Sequence, residues 1–236
     1  MIDITHGIAP TNVLQGALVL ANTLPYMPVG IHLAVVDPGV GGDRKPLALR
    51  GSDGRLYVGP DNGLLLVAAE RLGGVDAAVE LADPEYQLAP VARTFHGRDI
   101  FAPAAAHLAA GLELGALGPE VPVGALVRLE LPEPEVGTRR IRATVVYVDR
   151  FGNVQLNLTS AELERVGIGP GASVEVAVGF ERYFAVAAST FAEVRRGDIV
   201  LYEDAYRNIS LAINRGNAAE MFGAEVGQEL ELTALT

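Results

Sequence analysis

The sequence predicts a two-domain chain: an N-terminal layered α/β domain followed by a smaller all-β domain, barrel-like or a sandwich. Three observations carry that expectation. Short apolar runs alternate with alanine-rich helical stretches through the first half. A proline-bearing, aperiodic stretch, "EVPVGALVRLELPEPEVGTRR", then occupies 120–140. Beyond it come brief runs rich in β-branched residues, with Gly, Asp or Asn between them. The expected boundaries are an α/β domain over 1–128, a linker over 129–138 and a β domain over 139–236.

In chain order, "VLQGALVLANTLPY" (13–26) reads as a helix that ends near Pro28–Gly30, "GIHLAVVD" (30–37) as a buried strand and "PLALRG" (46–51) as a second strand. "YVGPDNGLL" (57–65) reads as turn chemistry leading into a helix over 62–73, with Asp61 or Asn62 placed to cap it. After "AAVELA", the stretch "GRDIFAPAAAHLAAG" (97–111) reads as a helix, Pro103 suiting its early turn and Gly111 its stop. Such alternation implies a sheet covered on both faces. In the second half "RIRATVVYVD", "VQLNLT", "SVEVAV", "YFAVAAS", "IVLYED", "ISLAIN" and "QELELTAL" read as strands.

Composition excludes several classes. The chain has 236 residues, is 50 % hydrophobic and has no cysteine, enough for one large or two modest cores without a disulfide. A formal charge of -11 repels nucleic acid and anionic membranes, and the basic spots "RRIR" and "VRR" are short. No apolar run approaches the roughly 18 residues of a membrane span, and "MIDITHGIAP" has neither the basic nor the apolar region of a leader. A cytoplasmic protein without nucleic-acid or membrane partners is expected.

Four stretches can carry chemistry. "DPGVGGDR" (37–44) matches neither the P-loop nor the dinucleotide fingerprint. It places Asp37 at the C-terminal end of a buried strand, where open α/β sheets hold ligands, and its turn can bring Arg44 back toward the acid; a salt-bridged structural turn has the same composition. In "TFHGRDIF" (94–101) His96 stands beside Phe95 and Gly97, suited to a planar ligand, while Asp99 equally suits a helix N-terminus. "YVDRFGNVQLN" (147–157) and "NISLAINRGNAAE" (208–220) carry amides fit for a nucleobase edge or an amino-acid head group, or for ordinary Asx turns. His6, His32, His96 and His107 lack metal-ligand spacing, so no metal is expected.

Together "DITHGIAP", "AVVDPGVGGDR", "VGPDNGLL", "TFHGRDIFAPAAAHLA", "DRFGNVQLN" and "INRGNAAE", in this order, resemble the S-adenosyl-L-methionine hydroxide adenosyltransferases, relatives of the fluorinating and chlorinating enzymes that use the same substrate. The resemblance runs from residue 2 to about 233. It implies an N-terminal α/β domain, a C-terminal barrel-like domain, and a homotrimer with substrate sites between one subunit's N-terminal domain and its neighbour's C-terminal domain. It implies a catalytic trio at Asp37, Arg44 and His96. Carried over position by position, it implies substrate contacts at Phe95, at Asp149, Phe151 and Asn153, and at Arg215, Asn217 and Ala218. S-adenosyl-L-methionine is then the substrate, with no further cofactor, and adenosine and L-methionine are the products.

Two departures accompany the resemblance. The family carries a "TDFG" strand and loop before "DITH", whose aspartate holds the ribose hydroxyls; this chain opens at the equivalent of the "DITH" strand, so the expectation is either a start placed too late or a protein without the first strand and the clamp. Gly42 stands where the family commonly has threonine. Two rival readings go with these departures, a halide-dependent transfer to the same carbon and a non-catalytic adenosyl-ligand binding protein. The halide reading is disfavoured because an acid and an imidazole suit activated water, whereas a halide prefers an apolar pocket. A methyltransferase is disfavoured because no glycine-rich loop follows a first strand.

Overall fold

The computed structural model describes residues 1–235, which form two compact units, residues 1–130 and 131–235. The first is a four-stranded sheet flanked by helices. Its strands are β1 (Ile31–Leu33), β2 (Pro46–Gly51), β3 (Leu56–Pro60) and β4 (Val75–Glu80), in the order β1-β3-β2-β4. β1 runs parallel to β3, while β2 is antiparallel to both β3 and β4.

Alternation along these strands builds two cores. Leu47, Leu49, Tyr57 and Ala78 face helices α1 (Val13–Thr23) and α2 (Leu66–Arg71), and Ala48, Val58 and Val79 pack with Phe101, Ala104 and Leu108 of the segment containing α3 (Ala102–Ala109). The sheet is thus covered on both faces, as expected.

Several elements differ from the expectation. "LYVGP", read as the approach to a turn, is the central strand β3, because its neighbours on both sides offer ladder partners that no local pattern reveals. The strand expected over 30–37 is regular only at Ile31–Leu33, with one further rung from Ala34 N to the Val58 carbonyl (3.0 Å). The helix expected over 62–73 contracts to α2, whose N-cap Leu65 makes no side-chain bond, so neither Asp61 nor Asn62 caps it. The "DITH" segment carries no strand; Gly7 N donates to Thr5 Oγ1 (3.0 Å) and Ala9 N to Gln15 Oε1 (2.7 Å) instead of to a ladder. Before α3 the chain makes a π-helical turn over Gly97–Phe101, and Gly111 (φ 95°) follows the helix.

The second unit is a closed barrel. It comprises β5 (Glu135–Val136), β6 (Arg140–Val148), β7 (Val154–Leu156), β8 (Ser173–Val178), β9 (Glu181–Ala187), β10 (Ile199–Glu203), β11 (Ile209–Ile213) and β12 (Glu229–Ala234). The order is β12-β8-β9-β10-β11-β7-β6-β5, and an additional β12–β6 ladder closes the ring. Closure leaves the long strands without free edges. All seven expected strands are present; β5 and two short helices were not foreseen. The helices, α4 (Ser160–Arg165) and α5 (Ala218–Phe222), send Leu163, Ala218 and Phe222 into the barrel core. Each carries a capping signal, a Thr159/Glu162 capping box for α4 and an Asn217 cap with left-handed Gly223 for α5.

Candidate active site

Residues 37–44 join the C-terminal end of β1 to the start of β2. Since β3 lies between those strands, the loop crosses over the end of β3. It folds back on itself through Val40 N to the Asp37 carbonyl (3.3 Å) and Gly42 N to the Gly39 carbonyl (3.0 Å). Gly41 (φ 78°) lies so close to the Arg93 carbonyl that a Cβ there would come within 2.6 Å of it, so the loop seats directly on the segment that leads to His96.

Arg44 is the hub. Its Nε donates to Asp37 Oδ1 (2.9 Å) and its Nη2 to Asp37 Oδ2 (2.5 Å), a bidentate pair whose side chains are only 9 % and 6 % exposed. The same Nη2 lies 2.8 Å from His96 Nδ1, and the guanidinium carbon stands 5.3 Å from the centre of the Phe101 ring. A guanidinium has no acceptor, so Nδ1 must accept and the neutral ring carries its proton on Nε2. Burial, reinforced by the Arg44 charge, holds the His96 pKa below its ordinary value against the opposing pull of Asp37 and Asp99.

Asp99 organises the loop that delivers His96. Its buried carboxylate accepts from Ala92 N (2.8 Å) and, through both oxygens, from Arg98 (2.6 and 3.0 Å), contacts that lower its pKa. It is therefore a loop clamp, in addition to standing in the first turn of the π segment. Phe95 is 59 % exposed, with Arg98 stacked 5.0 Å from its ring centre. A cavity of about 350 Å³ opens beside Asp37, lined by Thr5, His6, Ile8, Thr11, Val35 and Val36 among others. His6 and Thr11 are not among the expected site residues; the available signal was that His6 stands in the "DITHGIAP" motif and Thr11 directly follows it.

The remaining candidates lie in the barrel unit and form one patch. Asp149 closes the β6–β7 turn, its carboxylate accepting from Phe151 N (2.8 Å), Asn153 N (2.9 Å) and Asn153 Nδ2 (2.8 Å). Gly152 (φ 80°) touches Asn217, where a Cβ would fall 1.8 Å from Oδ1, and its carbonyl accepts from Ala219 N (2.9 Å). Asn217 Oδ1 accepts from Glu220 N (3.0 Å), capping α5, and Arg215 takes a left-handed backbone (φ 62°). Ala218 is fully buried in the barrel core. Phe151, with Arg150 4.9 Å from its ring centre, is 62 % exposed.

The family models for the SAM hydroxide adenosyltransferase N-terminal and C-terminal domains match residues 1–118 and 143–231. The chain belongs to that family. Within the SAM hydroxide adenosyltransferases, it is 47 % identical to the (R)-S-adenosyl-L-methionine hydrolase of Salinispora arenicola over 99 % of this chain and 86 % of the relative. The (R)-S-adenosyl-L-methionine hydrolase of Thermus thermophilus is 40 % identical over 98 % and 87 %. A fluorinase from Nocardia brasiliensis is similar at 27 % identity over 98 % and 86 %. A crystal structure of an uncharacterized conserved protein from Thermotoga maritima superposes with a TM-score of 0.90 at 34 % identity, covering 98 % of this chain and 88 % of that one.

Proposed function

We propose that this SAM hydroxide adenosyltransferase hydrolyses (R)-S-adenosyl-L-methionine to adenosine and L-methionine, with Asp37, Arg44 and His96 as its catalytic groups. The observation that carries the reading is the shared Arg44 nitrogen, which fixes the Asp37 carboxylate and the His96 tautomer at once. A water oxygen forms a bond to the ribose C5′ while the C5′–S bond breaks and its electron pair neutralises the sulfonium. One proton leaves per turnover. His96 Nε2–H donates to the attacking oxygen, and the lone pairs of Asp37 that Arg44 leaves free accept from the water and favour its hydroxide character. Placing that oxygen in line with the sulfur leaving group is worth up to about 7–11 kcal/mol.

In this reading Phe95 packs on the substrate, the barrel patch of Asp149, Phe151, Asn153, Arg215, Asn217 and Ala218 takes its methionine and adenine ends, and the working assembly is a cytoplasmic homotrimer. The supporting observation is that the candidates fall into two sets, one in each compact unit. Light scattering on the purified chain measures the assembly.

The test of the reaction is product analysis by mass spectrometry with the (R) and (S) sulfonium epimers, with and without chloride, for the parent chain and His96→Ala. Equal adenosine and methionine from the (R) epimer, lost in the variant, support the hydrolase. A chlorinated nucleoside, or binding without turnover, overturns it.

A further inference from the structure

We infer that Asn62 is a positioning residue for the reaction, holding the loop that carries Asp37 and Arg44 in register over the end of β3. The inference rests on the catalytic reading of those two residues. It begins from topology: the loop leaves β1 and enters β2, and the residues just past β3 lie beneath both of its ends.

The contacts follow that placement. Asn62 Nδ2 donates to the carbonyl of Val36, the residue before Asp37 (2.8 Å), and Asn62 Oδ1 accepts from Leu64 N (3.2 Å). Its neighbour Asp61 donates its backbone N–H to the carbonyl of Lys45, the residue after Arg44 (2.8 Å), and its carboxylate accepts from Val127 N (2.9 Å). One turn therefore grips both flanks of the loop, and is itself tied to a distant segment. Gly16 of α1 backs the arrangement, since a Cβ there would come within 2.9 Å of both Val36 and Leu64.

Between the two gripped flanks lie the residues of the bidentate pair, and among the described residues that pair and short turn bonds are the hydrogen bonds that join them. The Val36 carbonyl is the last backbone group before the Asp37 side chain departs. Releasing it frees the carboxylate to drift relative to the substrate carbon without removing any group that touches substrate. That is why the expected loss falls on the rate constant rather than on binding.

The experiment uses Asn62→Asp and Asn62→Ser. Both keep an oxygen that can accept from Leu64 N, and neither offers a donor that reaches the Val36 carbonyl. The expected result is folded protein whose kcat falls about 10- to 100-fold while KM stays within about threefold, in keeping with the cost of misplacing a reacting group by an ångström. The ring-nitrogen NMR signals of labelled His96 are expected to lose the single-tautomer pattern. A lowered melting temperature with unchanged kcat per folded enzyme and an unchanged His96 pattern would overturn the inference. So would loss of folding in both variants, which would make Asn62 a residue of the fold alone. Asp37→Asn, measured in parallel, separates the two ideas: if it retains full turnover the catalytic reading fails, and if it is inactive while both Asn62 variants are fully active, only the positioning inference fails.

Discussion

The Asp37–Arg44–His96 cluster and the barrel patch around Asp149 and Asn217 spend their polar groups in opposite ways. In the first, charged side chains bond to one another and hold a fixed electrostatic arrangement beside a cavity. In the second, the Asp149 carboxylate and the Asn217 amide turn back onto nearby backbone, closing a turn and capping a helix, while an aromatic ring is left outward. The first arrangement suits making and breaking bonds, and the second suits a shaped surface that a ligand lies on. Substitutions in the two regions should therefore fail differently.

The largest effect is expected at Arg44. Arg44→Met strands a buried carboxylate and frees the His96 ring, so kcat should fall by about 10²–10³-fold or more, and the melting free energy by about 3–5 kcal/mol. Product assays and urea melts check the two halves. Wild-type stability in the variant would show that the pair is not desolvated. Next is Phe151→Ala, for which KM should rise about tenfold, roughly 1.4 kcal/mol, with kcat and melting temperature unchanged because the ring is mostly exposed. A fall in kcat instead would erase the distinction between the regions.

A pH profile sharpens the comparison from the other side. His96 must be neutral to accept from Arg44, and its pKa is held below 6.5 by burial and by Arg44. The acid limb of the activity profile should accordingly be centred below 6.5. An acid limb centred above 6.5 would contradict the tautomer drawn here. The smallest effect is expected for Asn217→Ala, which removes the α5 cap and should cost about 1 kcal/mol in a chemical melt, with kcat unaffected.

What could be read from sequence divides along similar lines. The barrel strands are legible because each alternates or is β-branched between turn residues, so period and punctuation agree. The trio was legible as residue types in motifs, and Asp37–Arg44 as a pair across a turn. β3 was not, because "LYVGPDNG" ends in strong turn signals and its strand character comes from partners on both sides. α4 and α5 span fewer than two turns, too short for a helical period to show, although their caps were present. Asp61 and Asn62 had the chemistry of caps and perform a different task, since what lies above the end of β3 depends on strand order, which local pattern does not encode.

The shared nitrogen of Arg44 has a consequence for how the cluster comes apart. A proton arriving on His96 Nδ1 would set two donors face to face across 2.8 Å, and the guanidinium could relieve the conflict only by moving the nitrogen that also holds Asp37 Oδ2. Acidification would then loosen the Nη2–Oδ2 half of the ion pair together with the imidazole contact, leaving the Nε–Oδ1 bond as the remaining tie. The cluster would behave as one device with two settings, its loosening visible at the carboxylate although the proton binds at the ring.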